Sequence, residues 1–192
     1  MKKIVLLISI FSLFAFTSSD VKRTSVMITP NSKLLIVGKT NVNSFNCRYD
    51  ILKLQKPIQV FYKKHHDKIS FDNTVLVLDN VNFDCGGRGI NADFHELLKT
   101  KTYPQIRIKL KEISEGKTNN KPVLAHMDIT IAGITKGYQM PVEVSNADAM
   151  QINGILNLNL SDFNLEAPKK ALGLIVVKDE IEINFELAVK KD

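Results

Sequence analysis

The sequence predicts an all-β fold, an antiparallel barrel of about eight strands with one short helix. Two observations carry this. Apolar residues recur with period two in segment after segment, which places one apolar and one polar face on each strand. Only one stretch shows helical spacing instead. At 192 residues the chain suits one domain with a sizeable core.

The clearest strand pair lies in the second half of the chain. Met127, Ile129 and Ile131 alternate with Asp128 and Thr130, and Tyr138, Met140, Val142 and Val144 alternate with Gln139, Glu143 and Ser145. Between them Gly133 and Gly137 mark a turn, so the pair reads as a β-hairpin. The other elements follow in chain order. Residues 25–28 form a first short strand, ended at Pro30. Residues 33–42 follow with Leu34, Ile36 and Val42 on one face, and Gly38 marks a bulge or a close approach. Phe45, Cys47, Tyr49 and Ile51 alternate through 45–54, and Pro57 introduces a strand over 58–62. A charged turn at 63–68 leads into 69–83, where Val75, Val77, Val81 and Phe83 share a parity.

The helix is expected over 91–99. Phe94, Leu97 and Leu98 fall on one face, and Asp93 with Glu96 three residues later fits a capping box. The remainder alternates again. Ile106, Ile108 and Leu110 precede a polar loop at 115–121; Ile152, Leu156, Leu158 and Leu160 follow the hairpin; Ile181, Ile183, Phe185, Leu187 and Val189 close the chain. One-faced strands bury their apolar sides in either a sandwich or a barrel. The barrel is favoured because closure removes long edge strands, and the lone helix is too small to cover a sheet but fits one mouth.

Residues 1–19 have the layout of a secretory signal peptide: Lys2 and Lys3, an apolar run from Ile4 to Phe16, then small residues up to a cleavage site at Ser18 or Ser19. That run is shorter than the roughly 20 residues a spanning helix needs. The expected mature domain is therefore 20–192, exported to the periplasm or secreted, with no stable membrane insertion. Of the net charge of +6, Lys2 and Lys3 supply two, leaving +4 on the mature chain. Its basic residues are scattered on polar strand faces, which argues against nucleic acid as a partner. Cys47 and Cys85 admit three readings: a disulfide, two buried thiols, or half a metal site. An oxidising compartment and the absence of CxxC or His at ligand spacing favour the disulfide.

Catalytic signatures are absent, and neither a cofactor nor a metal is expected. His95-Glu96-Leu97-Leu98-Lys99 begins like a zinc-protease motif, but Lys99 stands where the second ligand belongs. Gly86-Gly-Arg-Gly89 reads as a turn into the helix, His65-His66 as a solvated hairpin tip, and His126 as an outward residue. The inward parities supply the candidate ligand-binding residues: Phe45, Tyr49, Phe83, Met127, Ile129, Tyr138, Met140, Leu156, Leu158, Phe163, Phe185 and Leu187. Periodicity alone leaves open whether they line a hollow barrel or pack a filled one. Tyr49 and Tyr138 add hydroxyls that need a partner, in the protein or in a ligand headgroup.

Five segments in order resemble the YceI-like family. Ser32-Lys-Leu-Leu-Ile-Val-Gly-Lys-Thr-Asn-Val-Asn-Ser-Phe45 is similar to its opening strand pair. Asn91-Ala-Asp-Phe-His-Glu-Leu-Leu-Lys99 with Tyr103-Pro-Gln-Ile-Arg-Ile108 resembles its helix and the strand after it. Ile131-Ala-Gly-Ile-Thr-Lys136 resembles its hairpin, and Leu158-Asn-Leu-Ser-Asp-Phe-Asn164 and Asp179-Glu-Ile-Glu-Ile-Asn-Phe-Glu186 its closing strands. The resemblance spans Val21 to Val189. It departs at Cys85-Gly-Gly-Arg-Gly89, where many members carry a longer Asp- and His-containing loop. It implies a lipocalin-like barrel that holds a long-chain lipid or isoprenoid, and no catalytic residue. Three classes of function then stand: a lipid carrier, a filled interaction module that presents its loops to a partner, and an enzyme. The carrier is favoured, and the sequence is compatible with a homodimer.

Overall fold

The computed structural model describes residues 20–54, 56–114, 123–146, 148–170 and 174–192. The expected signal peptide and the polar loop at 115–121 lie outside the described residues. The strands are β1 (Lys22–Ile28), β2 (Lys33–Thr40), β3 (Ser44–Tyr49), β4 (Ile58–His65), β5 (Lys68–Asp79), β6 (Phe83–Asp84), β7 (Gln105–Ser114), β8 (Val123–Ile131), β9 (Ile134–Asn146), β10 (Met150–Asn159), β11 (Lys169–Lys170) and β12 (Ile175–Lys191). The helix, α1, is Arg88–Leu97.

Eight strands run in a ring, β1-β4-β5-β7-β8-β9-β10-β12, and β12 closes it on β1 through pairs such as Met27 with Lys190. Every pairing is antiparallel, so the expected barrel is present. β12 is long enough to have two neighbours on one side. Its end pairs with β1, while Val177 to Glu186 pair with β2, which carries β3 and β6. The break between β1 and β2 falls at Pro30, which has no N–H to give a ladder. There Thr29 N donates to the Ala188 carbonyl at 2.8 Å, and the buried Ser32 hydroxyl accepts from Ala188 N at 2.9 Å. No backbone group of Ala188 is left bare where β12 changes partner.

Several elements differ locally from expectation. The β8–β9 turn is the two-residue Ala132–Gly133, with φ of 47° and 81°, and Gly137 lies within β9 opposite Asp128. Two left-handed residues match the right-handed twist of the strands they join, which a type I or II turn would splay. β5 stops at Asp79, and residues 80–82 form a 3-10 turn. Its inward residues are Thr74, Leu76 and Leu78, whereas Val75 and Val77 lie on the other parity and Val81 is exposed. A register shift between Ser70 and Thr74, with Asn73 at positive φ, sets this parity. The buried Asn80 ends the strand by donating through Nδ2 to the Tyr103 carbonyl at 2.9 Å.

The helix starts three residues earlier than the capping-box reading placed it. Gly87 occupies the N-cap with no side-chain cap, and Asp93 sits inside the helix. The start is braced from Asn91 instead. Its Oδ1 accepts from Cys85 N at 2.7 Å, and its Nδ2 donates to Asp84 Oδ1 at 3.0 Å. Lys99, in the left-handed region, ends the helical path, and Tyr103 N donates back to its carbonyl.

Candidate functional site: an apolar cavity under the helix

One face of α1 carries Ile90, Phe94, Leu97 and Leu98, a spacing that forms a continuous apolar stripe. This stripe lies over the barrel end where β7 begins and β8 and β10 finish. Between helix and barrel is a cavity of about 290 Å³. Ile106, Ile131, Leu158, Ile181, Ile183 and Ile36 supply its barrel wall, one or two from each of five strands. Phe45 of β3 supplies an aromatic side. Its polar lining consists of Thr40, Asn43 and Asp93, with Asn43 exposed to solvent. A half-open, mostly apolar cavity with a few polar groups is a common shape for a small-molecule site, here at the lower end of the ~300–1,000 Å³ range.

The lid is held by covalent and aromatic contacts. Cys85, just ahead of the helix, is bonded to Cys47 of β3, and both are buried. Phe94 packs on Phe83 with ring centroids 5.3 Å apart, and Phe83 packs edge-on to Tyr49 at 4.9 Å. The Tyr49 hydroxyl accepts from Asn82 Nδ2. Asp84 braces the same segment. Hydrogen bonds from the Asn91 amide and the Gly86 N–H hold its carboxyl below the ordinary carboxylate value. Gly38 is a close approach, and the β12 ladder shifts register beside it, between Val177 and Ile181. Gly38 pairs with Phe45, and a Cβ at Gly38 would overlap the Phe45 ring, so glycine alone lets that ring lie flat against β2 as cavity wall.

The twelve sequence-selected residues divide sharply. Tyr49, Phe83, Met127, Ile129, Met140, Leu156, Leu158, Phe163 and Phe185 are buried, and Phe45, Tyr138 and Leu187 are half-buried against the core. Only Phe45 and Leu158 line the cavity. The others pack the core. Both tyrosine hydroxyls have protein partners: Tyr138 donates to Asp162 Oδ2 at 2.8 Å, and its ring stacks on Phe163. Burial, with the carboxylate beside it, pushes the Tyr138 phenol well above its usual range. The helix residues and Ile36, Ile106, Ile131, Ile181 and Ile183 were absent from the selection. Their parity was visible, but not which end of each strand meets the helix.

A second, open depression of about 360 Å³ lies beside β3 and β6, lined by Leu35, Asn46, Arg48, Asp50, Asn82 and Asp84 among others. Its mixed charge and exposure make it the poorer site for an apolar ligand. His65 and His66 lie at the β4–β5 hairpin. Among the described residues no cluster of three or more His, Cys, Asp or Glu is arranged to hold a metal ion. No described helix is long and apolar enough to cross a membrane.

The fold recurs in solved structures. BcnA of Burkholderia cenocepacia superposes with a TM-score of 0.58 at 23% identity, covering 83% of this chain and 96% of that one. A polyisoprenoid binding domain from Saccharophagus degradans gives 0.62 at 13% identity, with 89% and 100% covered. The Campylobacter jejuni YCEI protein gives 0.51 at 18% identity, with 64% and 73% covered. At these identities the likeness concerns the fold. No curated protein matches the sequence. The model of the YceI-like domain matches residues 63–189, from the end of β4 almost to the end of β12, and the chain belongs to the YceI-like family.

Proposed function

We propose that this protein is a non-catalytic carrier, periplasmic or secreted, that shelters the apolar chain of an amphiphile such as a polyisoprenoid or related lipid. The observation that carries the reading is the cavity under α1, walled by apolar side chains from the helix and six strands. Burying a lipid chain there removes it from water at about 0.8 kcal/mol per methylene. The likeness to a polyisoprenoid binding domain supports the ligand class. The signal-peptide pattern of residues 1–19 supports export, with a mature chain starting near Asp20. The packed middle of the barrel suits the alternative, a filled interaction module. The cavity supports the carrier over the module, because a module that only presents loops has no need of one.

Native mass spectrometry of protein purified from its own host should find a stoichiometric amphiphile. The matched pair Leu158→Lys and Asn157→Lys assigns the ligand to the cavity, because adjacent strand residues point to opposite faces. Leu158 is 4% exposed and lines the cavity, and Asn157 is exposed. Folded Leu158→Lys is expected to lose the ligand, since an unpaired ammonium is costly in apolar surroundings. Asn157→Lys should retain it. Retention by both would refute the assignment.

A further inference from the structure

We infer that the cavity measures the ligand's apolar tail, and that Phe185 sets the stop. This rests on the carrier reading and narrows it. The ligand becomes an amphiphile whose buried tail is no longer than the space above one packed layer.

The layer is found by stepping two residues deeper along each of five strands that wall the cavity, β3 with Phe45 being the sixth. On β2 the step runs from Ile36 to Leu34, on β7 from Ile106 to Ile108, and on β8 from Ile131 to Ile129. On β10 it runs from Leu158 to Leu156, and on β12 from Ile183 to Phe185. None of the residues reached lines the cavity. Their exposures are 1% for Leu34, 9% for Ile108, 0% for Ile129, 2% for Leu156 and 6% for Phe185. On all five strands the next inward residue is thus buried core.

Phe185 is the largest side chain of that floor. It stands opposite Leu34 on β2 and opposite Gly154 on β10, where the Met140 and Val142 side chains occupy the space above the glycine. Truncated to alanine, Phe185 gives up more volume than Leu34, Ile108, Ile129 or Leu156 would. Two residues of strand correspond to about 6.7 Å of added depth. Shortening a tail above the floor should forfeit about fourfold in affinity per methylene, and lengthening it past the floor should gain nothing.

The test uses straight-chain 1-alkanols from octanol to octadecanol, whose neutral head keeps charge out of the comparison. Affinity for the wild-type protein, measured by calorimetry or by displacement of a fluorescent fatty probe, is expected to climb with tail length and then level off. In Phe185→Ala the break should move to longer tails. Phe185→Leu should move it by a smaller amount, and it stands in if the alanine variant does not fold. Met127→Ala, which removes a buried side chain below Ile129 on β8, controls for general loosening and should leave the break in place. A break that stays put in folded Phe185 variants, or wild-type affinity that climbs through octadecanol, overturns the ruler and leaves the carrier standing. If folded wild-type protein binds no alkanol at all, the carrier reading falls, and the ruler with it.

Discussion

Loss of the Cys47–Cys85 bond should cost this protein about 4 kcal/mol, through its unfolded state. The bridged residues are 38 apart in sequence. In the chain-entropy model, a loop of that length removes about 13 cal/mol/K from the denatured ensemble, which is about 4 kcal/mol at 25 °C. Both cysteines are buried, so reduction leaves two thiols with little room to move. The assay is urea unfolding followed by far-UV circular dichroism, on oxidised protein, reduced protein and the Cys47→Ala/Cys85→Ala variant. With a slope of about 2 kcal/mol/M, the midpoint should fall by roughly 2 M. An unchanged midpoint would refute the reasoning, because it would mean that the unfolded chain gains no freedom when the bond is cut. The same mechanism makes a second demand. A bond that acts on the unfolded chain should leave ligand binding by the folded protein nearly intact, with Phe94 still packed on Phe83. Ligand release on mild reduction, without unfolding, would show that the bond clamps the native lid instead.

Three further outcomes follow from single contacts. Gly38→Ala should drive the Phe45 ring off β2 and into the cavity, lowering ligand occupancy and costing about 1–3 kcal/mol by overpacking; normal occupancy in native mass spectra would contradict it. Tyr138→Phe removes the hydrogen bond to Asp162 and should cost about 1 kcal/mol, discounted for partial exposure, which thermal unfolding would read as a few degrees. Asp84 has its folded-state pKa lowered, so its contribution is present above the ordinary carboxylate value and lost as pH falls through the lowered one. The stability difference between wild type and Asp84→Ala should then hold steady from pH 7 to about pH 4 and shrink below it; a difference already shrinking near pH 6 would count against this.

Much of the architecture was legible because a strand with one buried face must alternate. Met127, Ile129 and Ile131 point inward for that reason alone, as do Ile181, Ile183 and Phe185. The cysteine pairing was legible as a preference, from compartment and missing ligand spacing. Local punctuation was harder to read. Asp93 and Glu96 had the spacing of a cap, yet Asn91 and Asp84 fix the helix start through bonds that depend on where β6 lies. Val75 and Val77 looked like core, yet a shift in β5 pairing gave that role to Thr74, Leu76 and Leu78.

The sequence by itself determined the class of fold, the inward parity of most strands and the apolar stripe of one helix, because each depends on residues near one another along the chain. The tertiary structure alone decided which inward residues border empty space. Leu158 and Leu156 share a strand, a face and a side chain, and differ only in whether α1 and Phe45 or a full layer of core lies beyond them. That difference depends on how the paired strands are staggered and where the helix comes to rest on their ends. Both are set by contacts between residues far apart in sequence, which a period of two does not record.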